Sequence, residues 1–61
     1  MTIRVKVSNE DSRETAVIAV QLTDADGKPI TTTELKGGAP GESLENYVHS
    51  GQSLLVKEVR Q

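Results

Sequence analysis

The sequence predicts an all-β fold, a small antiparallel β-sandwich or partly open barrel of about five short strands. Segments rich in β-branched residues alternate apolar and polar positions, and clusters of Gly, Pro, Asp and Asn separate them. With 61 residues the chain has room for a single domain, 1–61. The predicted strands cover residues 2–8, 15–23, 29–35, 43–49 and 53–59.

The first two predicted strands differ in whether one or both of their faces are apolar. Residues 2–8 alternate strictly, which is typical of a half-buried strand with a solvated outer face. The apolar face of this strand holds Ile3, Val5 and Val7, and its charged face holds Arg4 and Lys6. After a polar loop, residues 15–23 are mostly apolar on both faces, which predicts an internal strand.

A turn and a loop flank the third predicted strand. Asp26-Gly27 suits a tight turn with positive φ, and it is favoured over a calcium site formed by Asp24 and Asp26 because the EF-hand spacing fails. The threonine-rich segment 29–35 is expected at a sheet edge. Residues 36–41, which hold three glycines and a proline, predict a tight loop.

The stretch 41–59 is expected to organise the rest of the chain. It predicts a β-hairpin that turns at Ser50-Gly51. Its second strand carries Leu54-Leu55-Val56, an apolar run on both faces, which predicts either a central strand or a subunit interface. We expect this strand and the strand at 15–23 to form the two sides of one small core.

The segment 43–49 leaves two structures open. Leu44, Tyr47 and Val48 fall at helical spacing, with Gly51 as a C-terminal cap, whereas a strand would place Tyr47 and His49 on one face. The strand is favoured because the segment is short and is followed by a turn and a strand of similar length.

Composition and motifs argue against several functions. The chain has no cysteine, and its nine acidic and seven basic residues are spread along the sequence, so neither disulfides nor a nucleic-acid partner are expected. No apolar run approaches a membrane span or a signal peptide, which predicts a cytoplasmic protein without a membrane partner. Glu42 stands where a phosphate-binding loop needs lysine, and no nucleophile elbow is complete, so we expect neither an enzyme nor a cofactor.

Tyr47 and His49 are the candidate interaction residues. Tyr47 is the only aromatic residue, and aromatic side chains often anchor interfaces. The favoured alternative is that Tyr47 packs in the core as its one large ring. His49 is the only candidate for acid–base chemistry near neutral pH, but a lone histidine cannot form a metal site, and an exposed or hydrogen-bonded role is favoured.

Two resemblances add expectations about the family. The order TDADGKPI, then Pro40-Gly41-Glu42-Ser43, then two closing strands resembles bacterial immunoglobulin-like β-sandwiches over residues 23–59. The closing pattern PGES, YVH and GQSL resembles small uncharacterised proteins of tailed bacteriophages and prophages. The second resemblance implies a phage or prophage origin, with the protein in the cytoplasm or in a virion, and it supplies no catalytic residues.

Together these observations predict a non-enzymatic protein–protein interaction or structural module that self-associates through a sheet edge or the turn tips. Unpaired edges in so small a chain favour a homo-oligomer. The alternative is a small phage-encoded regulator or inhibitor of a host protein, which would use an acidic surface around Glu42, Glu45 and Glu58. An enzyme or small-ligand binder is disfavoured because few polar groups are expected to converge.

Overall fold

The computed structural model describes residues 1–60 and confirms the predicted all-β fold. Five antiparallel strands form two open sheets, and residues 1–60 contain no helix, so the helical alternative for 43–49 is wrong. The two-stranded sheet has the order β1-β4, and the three-stranded sheet has the order β3-β2-β5. The strands are β1 Thr2–Ser8, β2 Val17–Thr23, β3 Pro29–Lys36, β4 Ser43–His49 and β5 Ser53–Arg60.

The strand β2 lies at the centre of the three-stranded sheet, as its apolar faces predicted. Its Val20 is buried and lies opposite Thr33 of β3 and Val56 of β5. The threonine-rich β3 lies at one edge of this sheet, which confirms the expected place of that strand. The buried apolar side chains are Ala16, Val17, Val20, Leu22 and Leu35.

The ladder between β1 and β4 gives the two-stranded sheet one apolar face. It runs from the pair Thr2–His49 to the pair Ser8–Ser43. Of the inner positions, Val5, Val7, Leu44, Asn46 and Val48 are half-buried and Ile3 is 55% exposed, whereas the outer positions are all exposed. We infer that this face covers the Val20 side of the other sheet, since each sheet buries one apolar face.

The sandwich is long and thin. It measures 34 × 19 × 11 Å, and its Cα radius of gyration is 12.2 Å, against about 10.5 Å for a compact domain of this length. An elongated small domain has more surface for its volume than a compact one. The core is therefore small, and several large apolar side chains remain at the surface.

The prediction of a β-hairpin over 41–59 is correct for the turn and wrong for the pairing. Gly51 has a φ of +84°, and the Gln52 N–H donates to the carbonyl of His49 at 3.0 Å. However, β4 pairs with β1 and β5 pairs with β2, so the turn passes the chain from one sheet to the other.

The strand β5 is an edge strand, so of the two alternatives predicted for Leu54-Leu55-Val56 the central strand is wrong, and the subunit interface stays a prediction. A three-stranded sheet has one central place, and β2, which is mostly apolar on both faces, occupies it. β2 and β5 are therefore neighbours in one sheet, not the two sides of the core.

The turn between β2 and β3 uses an aspartate to hold its backbone. Asp24 Oδ1 accepts from the N–H groups of Asp26 at 2.9 Å and of Lys28 at 2.8 Å. Gly27 follows with a φ of +85°, a conformation that favours glycine. The turn prediction is confirmed, and this carboxylate oxygen is already satisfied by two backbone donors.

Asn9, which follows β1, connects both sheets at one end of the molecule. It is 5% exposed and is the only buried polar residue within 1–60. Its amide donates to the carbonyls of Ala16 at 2.9 Å and Leu35 at 3.0 Å, beside β2 and in β3. Its backbone N–H donates to Glu42, just before β4, and its Oδ1 accepts from Asp11. One residue thus links the ends of four strands.

The loop that contains the cis peptide Ala39–Pro40 closes over Asn9. A Cβ on Gly41 would overlap the Asn9 carbonyl oxygen, and a Cβ on Gly37 would overlap that of Arg13. These two glycines let the loop approach residues 9–13 closely enough for the Gly38 N–H to donate to Asp11 O at 2.9 Å.

Replacing Asn9 by Ala should lower the free energy of unfolding by about 1.5–4.5 kcal/mol, because the three hydrogen bonds of its side chain are lost at about 0.5–1.5 kcal/mol each. Urea unfolding followed by circular dichroism measures this. The control is Asn46→Ala, which removes a bond from Asn46 Oδ1 to the adjacent Tyr47 N–H and should cost less than about 1 kcal/mol. Equal losses in the two variants would contradict the role of Asn9.

Stability should fall in acid through Asp11. Arg13 donates to both oxygens of this carboxylate, at 3.0 and 2.8 Å, and this pairing lowers the pKa of Asp11 from 3.8 to about 2. Because the folded pKa is below the unfolded one, the stabilisation is complete above the unfolded pKa and is lost as the pH falls toward about 2. Melting temperatures should therefore drop more between pH 5 and pH 2 for the wild type than for Asp11→Asn; parallel curves would exclude the effect.

Candidate interaction surface

Tyr47 and His49 lie on the outer face of the two-stranded sheet, on one face of β4 as predicted. Leu44 and Val48 occupy the inner face, so the alternation of β4 directs Tyr47 outward, where it is 56% exposed. The expectation that Tyr47 packs in the core is therefore wrong. Tyr47 lies opposite Arg4 in the ladder.

His49 belongs to a hydrogen-bonded end of the sheet. Its Nδ1 lies 2.8 Å from Thr2 Oγ1, and its backbone N–H donates to Gln52 Oε1 at 2.8 Å. The amino group of Met1 donates to Ser50 Oγ at 2.9 Å. The favoured role of His49 as an exposed, hydrogen-bonded residue is confirmed, and no group of three metal-binding side chains occurs in the described part of the chain.

The rest of this outer face is solvated and charged. Arg4 and Glu45 form an ion pair with 3.8 Å between Nε and Oε2, and both side chains are mostly exposed. Such a surface pair contributes only about 0–1 kcal/mol. Tyr47 therefore stands alone among polar neighbours, without an apolar patch around it.

The larger apolar surface lies on β5, where neither candidate residue is. We call Leu54, Leu55 and Val56 the β5 edge segment. Leu55 is 45% exposed and Val56 is 54% exposed, on opposite faces of the strand. Among the strands of residues 1–60, β5 forms its ladder with β2 alone, so its other side is open.

The sequence marked this segment as a central strand or an interface. The position of β2 excludes the central strand, and the interface stays a prediction.

The edges on β1 and β3 are better protected than β5. β1 alternates with Arg4 and Lys6, and β3 begins with Pro29, which has no N–H to offer an added strand. β5 carries no charge before Lys57. Toward its end, Glu58 pairs with Ile18 and Arg60 with Val17, so Val59 forms a bulge that interrupts the ladder. The unprotected part of β5 is therefore its first half.

A shallow depression of about 590 Å³ lies at the end of the molecule where Asn9 links the strands. Its charged groups have both signs, and the Glu42 carboxylate accepts from the Lys36 backbone N–H at 2.7 Å. The charged side chains around the depression therefore do not form a site for a ligand of one charge sign. The lining residues are Glu14, Thr15, Lys36, Gly37, Pro40, Glu42 and Arg60.

Comparison with known proteins finds no match to a family model, a curated protein or a solved structure. Within residues 1–60, no helix is long and apolar enough to cross a membrane. The function must therefore be argued from the surface of this chain.

Replacing the exposed Tyr47 by Ala should change the free energy of unfolding by less than about 1 kcal/mol. The matched control is Leu35→Ala at a side chain that is 3% exposed, which should cost about 2–5 kcal/mol. Urea unfolding of both variants gives the comparison. A loss of several kcal/mol in Tyr47→Ala would show that the ring is buried in solution.

Proposed function

We propose that this chain is a non-enzymatic protein–protein interaction or structural module that self-associates through β5. The observation that carries the proposal is the β5 edge segment, where an apolar run without charges lies on the open edge of a sheet. Such an edge offers unpaired N–H and C=O groups to an added strand.

Pairing would also cover apolar surface that the small core leaves in water. Burial stabilises by about 25 cal/mol per Å² of apolar surface. The chain has no cysteine for a disulfide, and its core contains five buried apolar side chains among the described residues. Association is the remaining means of adding substantial burial.

The biological setting rests on the sequence resemblance to phage and prophage proteins. An assembly or scaffolding role, in the cytoplasm or in a virion, is consistent with a small self-associating β domain. Catalysis has less support, because the imidazole of the single histidine is engaged with Thr2 in the hydrogen-bonded end of β4.

The alternative, a regulator that presents an acidic surface, has weaker support. Glu42 is bonded to the backbone of Lys36, and Glu45 is paired with Arg4. Glu58 also interacts with other groups and lies on the other sheet from Glu45. The three carboxylates are thus individually engaged.

Light scattering across a concentration series should give a mass near twice 6.6 kDa in the upper range. Val56→Lys should raise the dissociation constant at least tenfold, because it places a charge in the proposed interface. The control Ile30→Lys changes an apolar side chain that is 48% exposed on the opposite edge strand β3, and it should leave association unchanged.

Circular dichroism should show both variants folded. A wild type that stays monomeric into the high micromolar range would overturn the proposal. A stronger effect of Ile30→Lys than of Val56→Lys would move the interface to β3.

A further inference from the structure

We infer that the partner of β5 is the β5 strand of a second copy, paired antiparallel about a twofold axis at Leu55. The product is one six-stranded sheet in the order β3-β2-β5-β5-β2-β3. This inference rests on the proposed function and adds the register of the contact.

Symmetry limits the registers. A rotation about a twofold axis normal to the sheet leaves each face of the sheet on the same side. Two directly opposed residues must therefore have their side chains on the same face. The axis therefore passes at a residue, never between two. The bulge at Val59 confines the regular part of β5 to residues 53–58. Centres at Leu55 and Val56 each allow five regular pairs, whereas centres at Leu54 and Lys57 allow three.

The opposed side chains distinguish the two registers that allow five pairs. With the centre at Leu55, this leucine meets its copy, and Leu54 meets Val56 twice. The outermost pairs then join Ser53 to Lys57. Apolar side chains thus oppose apolar ones throughout the middle of the contact, an arrangement that stabilises antiparallel pairs.

With the centre at Val56, only that valine meets an apolar partner. Leu55 then opposes Lys57, and Leu54 opposes Glu58, a carboxylate that already interacts with other groups. With the centre at Lys57, two ammonium groups face each other directly, which destabilises the pair. The register at Leu55 is therefore favoured.

The same register accounts for the exposure on both faces of β5. Leu55 lies opposite Gln21 of β2 on the outer face, and Val56 lies opposite the buried Val20 on the inner face. In the dimer Leu55 is covered by its copy, and Val56 is covered by Leu54 of the second molecule. One strand pair is a small interface, so we expect a dimer that dissociates on dilution.

Single cysteines can locate the axis, because the chain has none of its own. Two residues directly opposed across antiparallel strands have Cα atoms about 4.5–5.5 Å apart, within the roughly 4.4–6.8 Å of disulfides. Residues on the diagonal are about 7–8 Å apart. Under mild oxidation, Leu55→Cys should form a disulfide-linked dimer at least tenfold faster than Val56→Cys, Lys57→Cys or the β3 control Ile30→Cys.

The outcomes distinguish the register from the proposed function. Fastest cross-linking at Val56→Cys or Lys57→Cys would overturn the register while leaving pairing through β5 in place. Fastest cross-linking at Ile30→Cys would place the contact on β3 and overturn both. Slow, equal cross-linking at all four positions would also overturn both if the wild type is monomeric by light scattering. The same result with a dimeric wild type would overturn pairing of β5 about residues 55–57 and retain self-association.

Discussion

The amide of Asn9 is the interaction on which the arrangement of the two sheets depends. Its two N–H donors reach the carbonyls of Ala16 and Leu35, which belong to the three-stranded sheet, while its own backbone continues β1 and bonds to Glu42 before β4. Without this side chain, the buried backbone at the end of the sandwich would lose three hydrogen bonds. The glycine at position 41 matters for the same reason, because a side chain there would occupy the space of the Asn9 carbonyl.

At the opposite end of the molecule, the contacts are between the amino terminus and the turns, and they involve no buried polar side chain. The amino terminus bonds to Ser50, and a Cβ on Gly51 would lie 3.0 Å from the Cβ of Ala25, so the two turns lie against each other. Between these ends, the sheets share a thin apolar layer. On β5, the strand after this turn, Leu55 lies on the outer face and Val56 on the inner face, and about half of each remains in water.

The sequence predicted the strands well and their partners poorly. All five strands were located to within two residues; β2 begins at Val17, not at residue 15, because Ala16 bonds to Arg13 and accepts from Asn9 in the loop. Periodicity shows which side chains share a face, but it carries no information about which strand lies alongside. Tyr47 shows a different error: the size of its ring suggested a core position, whereas its place in the alternation of β4 puts it on the outer face. Asn9 stood in a polar loop, where no pattern marks a buried amide.

The apolar character of β5 connects the stability of the domain to its proposed association. In a single copy, Leu55 and Val56 contribute little hydrophobic stabilisation because about half of each side chain stays in water. A paired copy would cover both side chains and also satisfy the open side of the β5 backbone. The free energy gained on pairing then adds to the free energy of folding, and the stability of the domain rises with protein concentration. In the proposed pairing, the open edge of β5 is the part of the sequence that would select a second copy as the partner.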